Sequence, residues 1–182
     1  IAYQAKSNKD LGRARLLYGV LQNPVISGPG QALLRWSVKW GLPVKPLINA
    51  TLYKQFICGE TRAECAQLAR DLAGYRIQTV LDYAAEGEES EEAFRNNLEE
   101  FKRNIDLAAQ EASIPISVFK PSAISRNEEL ITLSRKPASQ WNEAEQAAYE
   151  QIASRFDDIF SRAYEQQVPV MIDAEESWTQ AI

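Results

Sequence analysis

The chain contains three short, mainly apolar segments, and each of them ends directly at a charged residue. The segments and the residues that follow them are Ile77–Leu81 with Asp82, Ile116–Phe119 with Lys120, and Val168–Ile172 with Asp173. Apolar runs of this length are typical of strands in a parallel sheet. We therefore predict three strands with these bounds, and we expect the third to be a buried strand.

Long segments with helical periodicity lie between the predicted strands. The first follows Ser90, a good N-cap residue, and repeats apolar side chains at alternating steps of four and three. Asn142 and Glu145 form a capping-box pattern before a second long helix, which we expect to end near Gln166. The apolar face of the first of these helices consists of Phe94, Leu98, Phe101, Ile105 and Ala108.

Two shorter helices are predicted in the same part of the chain. Thr61 and Glu64 form another capping box, and Gly74 is a natural C-terminal stop for the helix that they open. A second short helix is predicted over Asn127–Leu133. The predicted order is therefore helix and strand in alternation, with each strand preceded by a helix.

The first 55 residues show a different pattern, with two predicted helices. Apolar residues at helical spacing predict the first over residues 5–22 and the second over Gln31–Trp40. We expect Gly28-Pro29-Gly30 to form a turn between them, and the glycine after Trp40 to end the second helix. Pro43 and Pro46 are expected to prevent the helix from resuming.

Strands that alternate with long helices predict right-handed βαβ crossovers and a parallel sheet, so the predicted fold class is α/β. A barrel of this kind needs eight strands. We therefore expect the three strands to be the first part of a larger fold. We divide the chain into an N-terminal helical arm, residues 1–55, and the beginning of the main domain, residues 56–182.

Charge is distributed unevenly between these two parts. The arm carries eight basic side chains and one acidic one, a net charge of +7, and the rest carries 12 basic and 24 acidic, a net charge of −12. With an overall net charge of −5, we expect no nucleic-acid binding. The basic arm bears Trp36 and Trp40 and suits an anionic membrane surface. Packing of the arm on the main domain is the alternative.

The sequence limits the chemistry that its side chains can perform. It contains no histidine, and its two cysteines are Cys58 and Cys65. No histidine-dependent nucleophile pair and no histidine metal site can form within it, and we predict no metal site. The cysteine spacing matches no zinc or redox motif, so we interpret both as free structural thiols of a reducing compartment. No G-x-G-x-x-G and no phosphate loop occurs.

The three residues at the strand ends form the candidate site. Because the carboxyl ends of parallel strands share one rim, we expect Asp82, Lys120 and Asp173 to lie together. Two aspartates would keep the lysine charged, which suits a fixed cation for a carboxylate substrate. A strand-end salt bridge without function fits the spacing as well. A third hypothesis is a Schiff-base lysine in a lyase or aldolase-type barrel, which needs a lowered pKa that two nearby acids oppose.

Four segments resemble the early motifs of the proline dehydrogenase family in their order and spacing. The resemblance covers roughly residues 50–182. The alternative to a catalytic member of this family is a non-catalytic barrel fragment that binds a partner. The four segments are Phe56-Ile57-Cys58-Gly59-Glu60-Thr61, Val80-Leu81-Asp82-Tyr83-Ala84-Ala85-Glu86-Gly87, Val118-Phe119-Lys120-Pro121-Ser122-Ala123 and Val170-Met171-Ile172-Asp173-Ala174-Glu175-Glu176.

This resemblance implies a fold and an activity. The fold is a distorted TIM-like (β/α)8 barrel that binds FAD at its carboxyl face, with its later strands outside these residues. The activity is oxidation of L-proline to 1-pyrroline-5-carboxylate, with hydride passing to FAD N5 and electrons passing on to a membrane quinone. The implied location is the bacterial cytoplasm, with peripheral contact to the inner membrane, or the matrix side of a mitochondrial membrane.

The resemblance also implies roles for five residues by their motif positions. Lys120 would contact the proline carboxylate near the flavin, and Glu86 would pair with an active-site arginine and help close the pocket. Asp173 and Ala174 would support the flavin and substrate site, and Asp82 would line the substrate site. The chain reads Lys-Pro-Ser at residues 120–122, where the family commonly has Lys-Leu-Thr or Lys-Leu-Ser. The family's Tyr-x-x-Arg-Arg motif is not among these residues.

Overall fold

The computed structural model describes residues 3–83 and 89–182. The chain forms two compact units, Ile1–Leu68 and Ala69–Ile182. Within the two described stretches, no helix is both long enough and apolar enough to cross a bilayer.

The described residues of the first unit form helices joined by short loops. Ser7 caps the first helix, because its hydroxyl accepts a hydrogen bond from the Asp10 N–H at 3.2 Å. Gly41 has a left-handed φ of +67° and follows the second helix, as predicted. The elements are α1 (Asn8–Gln22), α2 (Pro24–Lys39), α3 (Lys45–Ile48), a π-helical turn (Asn49–Tyr53), α4 (Lys54–Phe56) and α5 (Arg62–Ala73), which ends in the second unit.

Two of the predicted helix interruptions are wrong. α2 begins at Pro24, well before its predicted start, because a proline at the first helical position loses no hydrogen bond. The side chain of Asn23 caps this end by accepting from the Val25 N–H at 3.0 Å. Gly28-Pro29-Gly30 consequently lies inside α2 and does not form a turn. Pro46 lies in the first turn of α3, where its missing N–H has no partner to lose.

The first unit buries little apolar surface. Among the residues of this unit whose burial the structure describes, the two buried ones are Ser37 and Ala66. Large apolar side chains on α1 and α2 and directly after α2 are exposed instead, and Leu16, Val25 and Trp40 are 69%, 79% and 67% exposed. These two helices therefore present apolar side chains to their surroundings alongside the basic side chains of the arm.

The second unit is an α/β structure around a parallel three-stranded sheet in the order β1-β2-β3, as the sequence predicts. Ser117 in the central strand pairs with Leu81 on one side and with Val170 on the other. The elements are β1 (Val80–Leu81), α6 (Glu91–Gln110), β2 (Ile116–Phe119), α7 (Asn127–Ser134), α8 (Glu143–Gln166) and β3 (Val170–Ile172), with 3₁₀ turns at Pro121–Ala123, Ala138–Gln140 and Ser177–Thr179.

The predicted caps of the two long helices are confirmed. The Ser90 hydroxyl accepts from the Ala93 N–H at 3.1 Å at the start of α6. At the start of α8, Asn142 accepts from the Glu145 N–H at 2.9 Å, and the Glu145 carboxylate accepts from the Asn142 N–H at 2.8 Å. α8 ends at Gln166, as predicted, and the next residue, Gln167, has a left-handed φ of +56° that turns the chain toward β3.

Phe119 of β2 is one of the fully buried side chains of the core. Its side chain is 1% exposed and lies between α6 and α8. Its ring centroid is 5.9 Å from that of Phe101, 5.1 Å from that of Phe156 and 6.0 Å from that of Phe160. Because these partners come from both long helices, Phe119 joins the helical layer to the sheet.

Arg155 on α8 connects three parts of the second unit. Its guanidinium donates to the Ile124 carbonyl at 2.5 Å and pairs with Glu91 at the start of α6 at 2.5 Å. It also lies over the Phe94 ring, 5.1 Å from the centroid. The side chain therefore fixes the loop after β2 against both long helices.

Two predictions about the outer strands are wrong. β1 is limited to Val80–Leu81. Arg76 adopts a left-handed φ of +65°, and the Ile77 N–H donates back to the Leu72 carbonyl at 3.2 Å, so the predicted start of the strand belongs to the turn after α5. β3 is not buried, since Met171 and Ile172 are 49% and 47% exposed. In the described part of the chain, β3 pairs with β2 on one side and with no strand on the other.

The position of Phe119 predicts a large loss of stability on truncation. We expect Phe119→Ala to lower the free energy of unfolding by about 3–5 kcal/mol, because it leaves a cavity among three aromatic rings. Phe119→Leu should lower it less. The control is Tyr164→Ala. Because Tyr164 is 80% exposed, this variant should change the free energy of unfolding by no more than about 0.5 kcal/mol. Urea unfolding followed by circular dichroism measures all three, and equal midpoints for the two alanine variants would contradict this assignment.

Candidate active site

The alternation of side chains along the strands places the three predicted site residues on one face of the sheet. Phe119 points toward α6 and α8, so the next residue, Lys120, points to the opposite face. The Asp173 N–H donates to the Phe119 carbonyl at 3.0 Å and extends the β2–β3 ladder by one residue. Asp173 is therefore placed directly beside Lys120. Asp82 follows β1 on the other side of β2.

The structure brings Asp82, Lys120 and Asp173 into contact, as the strand-end argument predicts. The Lys120 ammonium donates to Asp173 Oδ2 at 2.6 Å and forms an ion pair with Asp82 Oδ2 at 3.4 Å. The lysine side chain is 13% exposed, whereas the side chains of Asp82 and Asp173 are 51% and 42% exposed. The cation is thus held from both neighbouring strands, and the carboxylates on either side remain open to solvent.

These contacts raise the pKa of Lys120 above the ordinary value of a lysine. The largest cause is the hydrogen bond to Asp173; partial burial opposes the rise, and the charges of Asp82 and Asp173 add to it. The folded-state pKa therefore exceeds the unfolded one, near 10.4. The ammonium consequently stabilises the folded state at all pH values below the unfolded pKa, and this contribution is lost as the pH rises through the raised pKa.

A second contact between the strand-end loops was not predicted from the sequence. The Glu175 carboxylate accepts the Ser122 backbone N–H at 2.9 Å and the Ser122 hydroxyl at 2.5 Å. Ser122 lies three residues after β2, and Glu175 lies three residues after β3. Extending the shared-rim argument a few residues beyond each strand would have suggested this pair. It joins the loop that carries Lys120 to the loop that carries Asp173.

A cavity of about 410 Å³ lies beside the end of β3. Asp173, Ala174 and Glu175 line one side of it, and Tyr149 and Phe156 of α8 line another. Ala174, which the resemblance assigns to cofactor binding, is therefore exposed at this cavity and next to the Lys120–Asp173 pair. The assignment itself stays a prediction. Glu86 lies outside the described residues.

The donor set at the rim fits an anionic or electron-rich group. An ammonium has three N–H donors. Among the residues that the structure describes, its partners are the carboxylates of Asp173 and Asp82, which leaves a donor for another acceptor. A charged donor of this kind forms strong hydrogen bonds with a carboxylate, and it also suits the polar edge of a flavin ring. Among the described residues, Lys120 could therefore hold part of such a cofactor, and Asp173 and Ala174 lie beside it.

Comparison with known proteins identifies relatives of the chain. Residues 65–182, more than half of the chain, match the family model described as Proline dehydrogenase. The Carbapenem antibiotics biosynthesis protein CarD of Pectobacterium carotovorum subsp. carotovorum is 36% identical over 125 residues, which are 65% of this chain and 31% of that protein. Proline dehydrogenase 1, mitochondrial, of Dictyostelium discoideum is 26% identical over an alignment that covers 98% of this chain and 38% of that protein.

The chain thus spans about a third of the length of these curated relatives. No solved structure matches it.

The unequal distances from the Lys120 ammonium to its two carboxylate partners predict that the two carboxylates affect the pKa of Lys120 unequally. We expect Asp173→Asn to lower the pKa of Lys120 more than Asp82→Asn does, because Asp173 accepts the hydrogen bond at 2.6 Å and Asp82 lies at 3.4 Å. NMR titration of the lysine side-chain carbons measures both pKa values, and the spectrum of Lys120→Met assigns the signal. Equal effects of the two variants, or a larger effect of Asp82→Asn, would contradict the geometry.

Proposed function

The chain belongs to the proline dehydrogenase family, and on this basis we propose that the whole protein oxidises L-proline to 1-pyrroline-5-carboxylate. The observation that carries the proposal is the Lys120 ammonium, held charged between Asp82 and Asp173 at the ends of three parallel strands. A fixed cation at this rim suits the carboxylate of a small amino acid. Its place at the carboxyl ends of the strands is where parallel α/β enzymes carry their chemistry.

The three strands would form the first part of a distorted (β/α)8 barrel, preceded by the arm of residues 1–55 and completed by strands outside these residues. The parallel order of the sheet supports this proposal, and so does the exposed edge of β3. The next strand of a barrel would pair with that edge and cover Met171 and Ile172. The main domain would then begin at residue 56.

FAD, when bound, would supply the hydride acceptor at its N5 atom. Lys120 would bind the proline carboxylate and fix the ring beside the flavin. Asp173 would orient Lys120 through the hydrogen bond at 2.6 Å, and Asp82 would hold it from the opposite strand and line the substrate site. Ala174 would contribute its backbone to the cofactor site. Glu86 would pair with an arginine from the remaining part of the barrel and close the pocket.

The raised pKa of Lys120 disfavours a Schiff-base lyase. A lysine that attacks a carbonyl must lose its proton, and this requires a lowered pKa. Both neighbouring aspartates act in the opposite direction. The lysine would therefore act as a permanent cation that binds an anionic group, and its charge would not change during turnover at neutral pH.

We expect Lys120→Ala in the whole enzyme to lower kcat/KM for L-proline by roughly 10- to 100-fold while FAD stays bound. A hydrogen bond to a charged group contributes about 1.5–3 kcal/mol of binding free energy. A loss of about 1.4 kcal/mol corresponds to a tenfold decrease in kcat/KM. Steady-state kinetics with a soluble quinone analogue measures the loss, and flavin absorbance measures cofactor content.

The control for this experiment is Lys102→Ala, which removes a lysine whose ion pairs lie on the outer surface of α6 and α8. Its kcat/KM should stay within twofold of wild type. Unchanged kinetics for Lys120→Ala would remove the carboxylate assignment. Trapping of a carbonyl compound on Lys120 by borohydride would instead favour the lyase. A colourless whole protein that binds a partner but not proline would favour a non-catalytic barrel.

Electrons would pass from the flavin to a membrane quinone, which requires at least transient contact with a bilayer. The arm suits this contact because exposed apolar side chains on α1 and α2 accompany a net charge of +7 over residues 1–55. The rings of Trp36 and Trp40 lie 5.8 Å apart, and both are exposed. Tryptophan side chains favour the boundary between water and lipid. The location would be the bacterial cytoplasm at the inner membrane, or the matrix side in a mitochondrion.

We expect the whole enzyme to sediment with anionic vesicles at low salt and to be released at high salt. Each basic side chain near such a surface contributes about 1 kcal/mol, and the attraction fades within a Debye length. The double variant Trp36→Ser with Trp40→Ser should weaken sedimentation. Its control is Trp178→Ser, which removes an exposed tryptophan outside the arm. No sedimentation at low salt, together with protection of the arm from protease, would favour packing of the arm on the barrel.

A further inference from the structure

Cys58 and Cys65 lie in contact although both are free thiols. Their Sγ atoms are 2.9 Å apart. A disulfide bond is about 2.0 Å long, so the two sulfur atoms would need to approach by about 0.9 Å to form one. Both residues belong to residues 58–65, here called the thiol loop, which leads into the first turn of α5. Both cysteines are free thiols, as predicted, but their contact was not predicted from the sequence.

The backbone of the thiol loop is held in the geometry that joins the two sulfur atoms. Glu64 accepts the N–H groups of Glu60 at 2.8 Å and Thr61 at 3.3 Å, and the Thr61 hydroxyl accepts the Glu64 N–H at 3.3 Å. Gly59 lies so close to α5 that a Cβ added to it would be 2.6 Å from the Cβ of Glu64. The chain therefore folds back tightly at Gly59 and returns Cys58 to the side of Cys65.

The two thiols differ in their exposure to solvent. Cys58 is exposed, whereas Cys65 is partly buried. Burial is the largest cause that raises the pKa of Cys65, to about 12, and the contact with Cys58 adds to it. The exposed thiol is accessible to a reactant from solution, and the buried one is positioned to react with its neighbour.

We propose that Cys58 and Cys65 form a reversible redox site that exchanges with low-molecular-weight disulfides of the glutathione type. The Cys58 thiolate attacks one sulfur of glutathione disulfide, forms a mixed disulfide and releases one glutathione thiolate. Cys65 then loses its proton to solvent, its sulfur attacks the Cys58 sulfur, and the second glutathione leaves as a thiolate. The two protein thiols lose two electrons and two protons, and glutathione disulfide is reduced to two molecules of glutathione.

Tryptic peptide mapping of the whole protein after incubation with glutathione disulfide tests this site. Trypsin cleaves after Arg62, between the two cysteines, and therefore separates residues 55–62 from residues 63–70. Formation of the Cys58–Cys65 disulfide links these two peptides, and dithiothreitol separates them again. We expect the linked pair as the main product. Glutathione adducts on both cysteines, unreacted thiols, or links between two protein molecules would each overturn the proposal.

Three variants test the order of reaction and the geometry. Cys65→Ser should retain glutathione on Cys58, because the second step is lost. Gly59→Ala should slow ring closure, the formation of the Cys58–Cys65 disulfide from the mixed disulfide, by on the order of tenfold or more. A misplacement of reacting atoms near 1 Å lowers a reaction rate by up to about 100-fold. The control is Gly12→Ala, because nothing lies within 4 Å of a Cβ added at Gly12. Equal rates of ring closure for the two alanine variants would show that the thiol loop does not preorganise the pair, and would overturn the proposal.

Discussion

The register of β2 decides both the core and the candidate site. Phe119 and Lys120 are neighbours in sequence but point to opposite faces of the sheet. One packs among aromatic rings of α6 and α8, and the other is bound by carboxylates from the two adjacent strands. Because side chains alternate with a period of two, a slip by one residue would exchange these positions and bury a lysine in the core. The aromatic packing around Phe119 therefore fixes the place of the charge.

The candidate site is built largely from backbone geometry. Asp173 reaches Lys120 because its own N–H continues the β2–β3 ladder. The Ser122–Glu175 contact joins the following loops and restrains the same edge. In contrast, Asp82 follows a strand of only two residues and lies farther from the ammonium. The lysine is thus fixed firmly from one side and more loosely from the other.

The sequence predicts the elements whose signals are local. The caps at Ser90 and Asn142, the class of the fold and the meeting of Asp82, Lys120 and Asp173 all follow from short patterns and from strand polarity. Other features depend on contacts that a pattern does not contain. A proline can begin a helix as readily as it can end one, and the choice at Pro24 depends on the cap that Asn23 provides. The exposure of β3 depends on which strands lie beside it.

The edge of β3 has a consequence for handling the chain in isolation. In the part of the chain that the structure describes, this strand offers backbone N–H and C=O groups on one side with no partner strand, next to the exposed apolar side chains of Met171 and Ile172. Such an edge is a template for pairing with another molecule. Charged residues follow the strand but do not interrupt it. The isolated chain is therefore expected to aggregate edge to edge as its concentration rises, and a charge introduced at Met171 would oppose this association.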